Sequence, residues 1–132
     1  LHPDDAVKAA DLGADGVIVS NHGGIASDAS IAPIDALPGI VAAVAKRIAV
    51  MVDSGFRRGS DVLKGLALGA DAVMIGRATL YGVAAGGEAG ATRALDILGS
   101  EIHRTMGVMG LTDLGQIGRG HVVVPGDVLF QK

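Results

Sequence analysis

The sequence contains no cysteine and no tryptophan, and its 132 residues include only two phenylalanines and one tyrosine. The lack of cysteine excludes a disulfide framework, a thiolate metal site and cysteine catalysis. The scarcity of aromatic rings removes the stacking platforms used to bind single-stranded nucleic acids. A net charge of -3 provides no basic excess for nucleic acid either. We therefore expect no metal centre, no nucleic-acid partner and a core of aliphatic side chains.

Long hydrophobic runs are also absent. None approaches the roughly 18 residues of a membrane span, and the chain does not open on the cationic and apolar regions of a secretory signal. We therefore expect a cytoplasmic protein without a membrane partner. The first residue is Leu1 rather than methionine, which is compatible with a processed chain or with a fragment of a longer one.

Aliphatic residues and glycine are abundant: hydrophobic types make up 49% of the chain, and there are 21 glycines. The apolar pattern predicts buried strands at residues 17–19, 48–52 and 72–75. The predicted helices cover residues 3–12, 35–46, 62–68 and 88–109, with a short turn or helix from Thr79 before the last. The last helix carries an apolar stripe suited to covering a sheet, formed by Ala91, Leu95, Leu98, Ile102 and Met106.

One eight-residue segment occurs twice. Residues 12–19 (LGADGVIV) match residues 68–75 (LGADAVMI), and in both a helix end and a glycine turn precede an apolar strand. Repeated units with continuously apolar strands indicate a parallel sheet covered by helices. A (β/α)8 barrel uses about 31 residues per unit, so the chain has room for about four units, or half a barrel. A small doubly wound sheet fits the same pattern equally well.

Polar residues and glycines gather directly after each predicted strand. In parallel α/β folds, binding and catalytic sites form at the carboxyl ends of the strands. The candidate residues at these ends are His22, Asp53, Gly55, Arg57, Gly76 and Arg77. Three such clusters at one edge of a sheet favour a site more strongly than any one of them alone.

Histidine exchanges protons near neutral pH, so His22 is a candidate general base. The alternative for His22 is a loop histidine held by hydrogen bonds. His2, His103 and His121 have no comparable setting, so we expect no chemical role for them. Asp53 could accept a hydrogen bond from a ribityl or ribose hydroxyl, or it could cap a turn.

Arg57 and Arg77 can each present a planar guanidinium to a phosphate. The candidate glycines of the same loops, Gly55 and Gly76, allow an anion to approach the backbone closely. We expect Ser60 to cap the following helix, whose N-terminal N–H groups would add to the same field. The alternative is a surface arginine paired with a carboxylate, which is our expectation for Arg58, next to Arg57.

In their order and spacing, residues 20–24 (SNHGG), 53–61 (DSGFRRGSD), 67–70 (ALGA) and 76–77 (GR) resemble one family. It is the family of FMN-dependent α-hydroxy-acid oxidases and dehydrogenases, which includes glycolate oxidase, lactate oxidase and mandelate dehydrogenase. The resemblance covers about residues 3–110 and implies the C-terminal half of a (β/α)8 TIM barrel, with strands 6, 7 and 8. Residues 111–132 would then be a C-terminal tail.

The resemblance implies FMN as the cofactor and oxidation of a small 2-hydroxy acid to the 2-oxo acid. His22 would be the active-site base, in contact with the substrate, and Asp53 would bind the ribityl chain. The residues that would hold the FMN phosphate are Gly55, Arg57, Gly76 and Arg77. The Asp-Ser-Gly form at residues 53–55 and the segment 76–82 lean towards the mandelate or hydroxymandelate branch.

The sequence departs from the family at Ile25, where the family pattern has an arginine that clamps the substrate carboxylate. The family's first five strands are also missing. A half barrel exposes sheet edges and an apolar face, so we expect it to join an N-terminal half or a second copy, as a homo-oligomer. These departures favour an alternative for the isolated chain: a non-catalytic flavin- or phosphate-binding half barrel, or an assembly module.

Overall fold

The structure is a computed structural model that describes residues 1–125. Its helices and strands are α1 (Pro3–Asp11), β1 (Gly16–Val19), α2 (Pro33–Val44), β2 (Ala49–Val52), α3 (Gly59–Ala67), β3 (Ala72–Val73) and α4 (Arg77–Met109). The strands form one parallel sheet in the order β1-β2-β3. The alternation of helices and parallel strands confirms the α/β class predicted from the sequence.

Helix α1 lies within one residue of its predicted bounds. Pro3 occupies the first turn, where its missing N–H costs nothing, and Asp4 and Asp5 lie at the positive end of the helix. His2 precedes the helix, and its Nδ1 accepts a hydrogen bond from the Asp4 N–H (3.2 Å). This histidine therefore has a structural role, and the sequence predicts no chemical role for it. Gly13, at φ 88°, turns the chain out of the helix.

Helix α2 begins and ends two residues earlier than predicted, at Pro33 and Val44. Pro33 starts the helix with its fixed φ, and Pro38 lies inside it. The helix ends because Ala45 and Lys46 both adopt left-handed backbone angles (φ 51° and 63°). Ala45 and Lys46, which the sequence places in the helix, therefore form the turn that leads into β2.

Ser60 does not cap α3, contrary to the prediction. The helix begins at Gly59, so Ser60 lies within its first turn. The Asp61 carboxylate reaches back and accepts the N–H groups of Arg57 (3.1 Å) and Arg58 (3.0 Å). A carboxylate in the first turn thus satisfies the backbone N–H groups that lead into the helix.

One face of the sheet is packed and the other is open. Val19, Val50 and Val52 belong to the core that α1 and α2 also line. On the alternate face, Ile18 is 47% exposed, and Met74, just after β3, is 43% exposed. The prediction of fully buried strands is therefore wrong for residues 1–125, because the helices cover only one face of the sheet.

Helix α4 is kinked at Gly86 and Gly87, whose backbone angles leave the helical region (φ -160° and 57°). The kink falls where the sequence separates a short helix from a long one. The short part begins at Arg77, two residues earlier than predicted. Gly82 and Gly90, on either side of the kink, lie so close that a Cβ on either residue would collide with the backbone of the other.

The long part of α4 packs on α3. Leu98 and Met106 are buried, whereas Leu95 of the same predicted stripe is 55% exposed. Gly59, at the start of α3, lies directly against the backbone of Ile102. The stripe therefore covers a helix, and the prediction that it covers the sheet is wrong.

The predicted tail, residues 111–132, is described only as far as Pro125, so its apolar end at residues 128–131 lies outside the described residues. It contains two short 3-10 turns, Leu114–Gln116 and Arg119–His121. Val122 is extended, as predicted, and both Val122 and Val124 pack against the main core.

Candidate active site

The carboxyl ends of the three strands open into one cavity of about 320 Å³. The residues that follow β1, β2 and β3 all contribute to its wall. The six candidates chosen from the sequence all line it: His22, Asp53, Gly55, Arg57, Gly76 and Arg77. The parallel sheet brings these distant segments together because the carboxyl ends of its strands lie at the same edge.

His22 begins a tight 3-10 turn that ends at Gly24. His22 itself has a left-handed backbone (φ 54°), as do Gly23 (φ 69°) and Gly24 (φ 78°). Positive φ is uncommon for a residue other than glycine, and it persists where the surroundings hold it. The His22 side chain makes no hydrogen bond to any of residues 1–125, so the described contacts leave both ring nitrogens available to a ligand.

The turn is held through the peptide groups of Gly23. The Gly23 N–H donates to Ser54 Oγ (2.9 Å), and the Gly23 carbonyl accepts from the Arg77 guanidinium (2.9 Å). Ser54 Oγ in turn donates to Asp53 Oδ1 (2.6 Å). The positive φ of residue 23 favours glycine, and a Cβ there would also push the Arg77 guanidinium away from its place beside the turn.

The two cavity arginines have different partners. Arg77 binds the Gly23 carbonyl, whereas the Arg57 guanidinium makes no hydrogen bond or ion pair within the described part of the chain. The neighbouring Arg58 is not part of the cavity wall, and it pairs with Glu101 (2.8 Å). This confirms the prediction that Arg58 is a surface arginine paired with a carboxylate.

The N-terminus of α3 is already engaged by carboxylates. The two N–H groups before it bind Asp61, and the Gly59 N–H donates to Glu101 Oε2 (2.8 Å). These groups are not available to an anion, contrary to the prediction. Instead α4 begins in the cavity wall, at Arg77. The N–H groups of Arg77 and Ala78, its first two residues, have no acceptor within residues 1–125, so the positive end of α4 lies in the cavity wall.

The cavity fits a phosphate in charge and in space. The Arg57 and Arg77 guanidiniums and the start of α4 supply positive charge. Gly55 (φ 91°) and Gly76 have no atom within 4 Å of the position that a Cβ would take, so an anion can approach their backbone. Within residues 1–125 the wall contains one carboxylate, that of Asp53, and it accepts the Ser54 hydroxyl.

The rest of the wall is apolar. It includes Phe56, which is buried, and Met74, which is half exposed. Ile25 also lines the cavity and is 81% exposed. An exposed isoleucine beside His22 offers hydrophobic contact and no charge, as the sequence indicates.

Fold and site together define an α/β protein with a cavity at the carboxyl edge of its sheet, lined by two arginines and a candidate base. The sequence model of the family described as FMN-dependent dehydrogenase matches residues 1–124, and the chain belongs to that family. This confirms the family that the motifs indicate and extends the match beyond residue 110. FMN is the cofactor of this family.

Curated relatives support the assignment. The chain is 47% identical to the L-lactate oxidase of Nostoc sp., over 89% of this chain and 32% of the relative. It is 48% identical to the peroxisomal (S)-2-hydroxy-acid oxidase GLO4 of Oryza sativa subsp. japonica, over 94% of this chain and 34% of the relative. It is 51% identical to the (S)-mandelate dehydrogenase of Pseudomonas putida, over 86% of this chain and 28% of the relative. The chain thus spans about a third of the length of these relatives.

Solved structures agree. The crystal structure of the monotopic membrane protein (S)-mandelate dehydrogenase matches with a TM-score of 0.87 and 48% identity, over 91% of this chain and 32% of that chain. The crystal structure of mandelate oxidase with benzoyl-formic acid matches with a TM-score of 0.83 and 44% sequence identity. This match covers 87% of this chain and 34% of that chain. These neighbours are TIM-barrel flavoenzymes, and the helices and three-stranded parallel sheet of this chain agree with a partial α/β barrel. Within residues 1–125, no helix has both the length and the apolar character needed to cross a membrane.

Proposed function

We propose that this chain supplies the phosphate-binding and histidine-bearing part of an enzyme that uses FMN to oxidise a small 2-hydroxy acid to the 2-oxo acid. The observation that carries the proposal is that His22, Arg57 and Arg77 share one cavity at the carboxyl edge of a parallel sheet. The matched relatives are 2-hydroxy acid oxidases and dehydrogenases, which supports the same activity and does not favour a non-catalytic module.

In this proposal, β1, β2 and β3 are barrel strands 6, 7 and 8. Residues 1–110 form the half barrel, and residues 111–132 form its tail. The open face of the sheet, with Ile18 and Met74 exposed, would face the interior of the assembled barrel. An apolar face of this kind supports pairing with an N-terminal half. A homo-oligomer and a cytoplasmic location stay predictions, since the relatives include a peroxisomal oxidase and a monotopic membrane protein.

The FMN phosphate would bind between Arg57 and Arg77, at the start of α4. Arg57 brings a guanidinium without a described partner, and Gly55 and Gly76 leave the backbone open to the phosphate oxygens. Asp53 would accept a ribityl hydroxyl on the carboxylate oxygen that Ser54 does not occupy. When bound, FMN supplies the acceptor for two electrons.

His22 would take the proton that the substrate loses. Oxidation of a 2-hydroxy acid removes two electrons and two protons from the carbinol group, and a general base accepts one of those protons on a free nitrogen. The His22 imidazole is exposed, lies in the cavity wall and makes no hydrogen bond within residues 1–125, so it can receive a proton. The backbone that carries the His22 imidazole belongs to the left-handed turn of residues 22–24.

The apolar part of the wall supports an aromatic or otherwise apolar substrate such as mandelate. Ile25 and Met74 are exposed in the same wall as His22 and offer hydrophobic contact to a substrate in the cavity. The two cations of the described wall, Arg57 and Arg77, would be engaged by phosphate. We therefore propose that a group outside residues 1–125 orients the substrate carboxylate.

The test uses the FMN-loaded protein that carries this chain, with (S)-mandelate and lactate as substrates. His22→Gln should keep the flavin absorbance and lower kcat by about 100- to 10,000-fold. Arg57→Ala should weaken FMN binding, whereas the matched control Arg58→Ala should not, because Arg58 pairs with Glu101 outside the cavity.

Three results would contradict the proposal. Wild-type turnover by His22→Gln would exclude His22 as the base. Equal loss of FMN from Arg57→Ala and Arg58→Ala would exclude a specific phosphate contact. A protein that binds FMN and oxidises no 2-hydroxy acid would instead support the non-catalytic alternative.

A further inference from the structure

Ser54 has a backbone conformation that serine rarely adopts. Its φ is 70°, in the left-handed region that glycine enters without strain. Ser54 lies just past the end of β2, at the edge of the cavity. A serine at such a position raises the question of what its hydroxyl provides that glycine would not.

The Ser54 hydroxyl joins two loops that are far apart in sequence. It donates to Asp53 Oδ1 (2.6 Å) and accepts from the N–H groups of Gly23 (2.9 Å) and Asn21 (3.4 Å). One donor and two acceptor sites are all that a hydroxyl has, so its capacity is fully used. The two accepted bonds come from the residues on either side of His22.

The opposite side of the same turn is held by a second side chain. The Arg77 guanidinium binds the Gly23 carbonyl (2.9 Å). Gly23 is therefore fixed through both its N–H and its carbonyl, by groups from the ends of two other strands. Local bonds also support the turn: the His22 N–H donates to Ser20 Oγ (3.1 Å) and the Gly24 N–H to the Asn21 carbonyl (3.0 Å). Because His22 has a strained φ, the contacts from Ser54 and Arg77 add to these in holding its shape.

We propose that Ser54 is a positioning residue that sets the location of the His22 imidazole through the peptide N–H groups on both sides of it. This inference rests on the proposed role of His22 as the base. Ser54 acts through the turn, without touching the reacting atoms. A displacement of about 1 Å in a reacting group can cost on the order of 100-fold in rate, so a hydrogen bond that fixes this turn has a measurable effect.

The test compares Ser54→Gly with Ser54→Ala in the FMN-loaded protein. Both variants remove the hydroxyl, but glycine relieves the backbone strain and alanine retains it. We expect kcat to fall by about 10- to 100-fold in both variants at saturating FMN, while KM changes little. The glycine variant should have the higher melting temperature of the two. A loss of kcat in the alanine variant alone would assign the effect to strain and overturn the proposal.

A double variant separates positioning from an independent role. If Ser54 acts through His22, Ser54→Gly should have no further effect on kcat in the His22→Gln background. Multiplicative losses would overturn the proposal, because Ser54 would then act elsewhere. The positioning role of Ser54 would also be overturned if His22→Gln abolishes turnover while Ser54→Gly leaves kcat unchanged. That result would leave the proposed function intact.

The NMR signals of the His22 imidazole provide a readout that does not depend on turnover. We expect them to shift or broaden in Ser54→Gly, while those of His103, exposed on α4, stay unchanged. Unchanged His22 signals would overturn the inference. If His22→Gln keeps full activity, the proposed function fails, and these signals still decide whether Ser54 positions the histidine.

Discussion

The two copies of the LGAD segment form the same turn in different surroundings. Gly13 and Gly69 both have positive φ (88° and 101°), and each donates its N–H to the carbonyl three residues earlier (3.1 and 2.9 Å). Leu12, however, is 78% exposed, whereas Leu68 is 8% exposed and belongs to the main core. Local sequence therefore sets the turn, and the neighbours in the fold set how much each residue contributes to stability.

The glycine and the aspartate of the two LGAD segments also have different surroundings. No atom lies within 4 Å of a Cβ placed on Gly13, whereas one placed on Gly69 would lie 2.8 Å from Val41. The Asp71 carboxylate accepts the Val50 N–H (2.7 Å), but the side chain of Asp15 makes no hydrogen bond within residues 1–125. Matched substitutions in the two copies therefore measure the effect of surroundings at constant local sequence.

We expect the largest difference in stability loss between the two copies for substitutions of the leucines. Leu68→Ala should lower the free energy of unfolding by about 2–5 kcal/mol, because it opens a cavity in the core. Leu12→Ala should change it by no more than about 0.5 kcal/mol, since that side chain is exposed. Urea unfolding of the whole protein measures both. Similar losses in the two variants would show that Leu12 is buried in the assembled protein.

We expect the second-largest difference in stability loss between the two copies for substitutions of the glycines. Gly13→Ala should cost about 1–2 kcal/mol of stability, the strain of placing a Cβ in a left-handed conformation. Gly69→Ala should cost a further 1–3 kcal/mol or so, because its Cβ would press on Val41. Adding Val41→Ala to each variant is the control. It should reduce the difference between the two glycine positions, and an unchanged difference would contradict the steric explanation.

Much of this fold is predictable from sequence because its signals are local. The turns at Gly13 and Gly69 follow from a residue without a Cβ, and the apolar runs after them predict β1 and β3. The exposure of Ile18 was not predictable, because a continuous apolar run does not show which of its two faces is covered. The sequence also predicts the wrong start for α3. Ser60 and Asp61 are both residue types found at helix N-termini, and the sequence does not show that Arg58 precedes the helix while the Asp61 carboxylate binds back to its N–H.

The candidate site also has some features that the sequence predicts and others that it does not. His22, Arg57 and Arg77 stand out because their residue types, their positions after strands and the family resemblance all agree. The role of Ser54 does not stand out, because the N–H that it accepts belongs to Gly23, 31 residues earlier in the chain. The start of α4 at Arg77 was also missed, since the Gly-Arg pair gives no local signal for a helix N-terminus.

The aspartates should show the smallest difference. Asp71→Asn replaces a charged acceptor by a neutral amide oxygen, so the bond from the Val50 N–H weakens and stability should fall by about 1 kcal/mol. Asp15→Asn should leave stability within about 0.5 kcal/mol, because no hydrogen bond to its side chain is lost. Amide hydrogen exchange at Val50 gives a local readout. It should become faster in Asp71→Asn alone, and faster exchange in both variants would mean that the two aspartates stabilise the sheet in the same way.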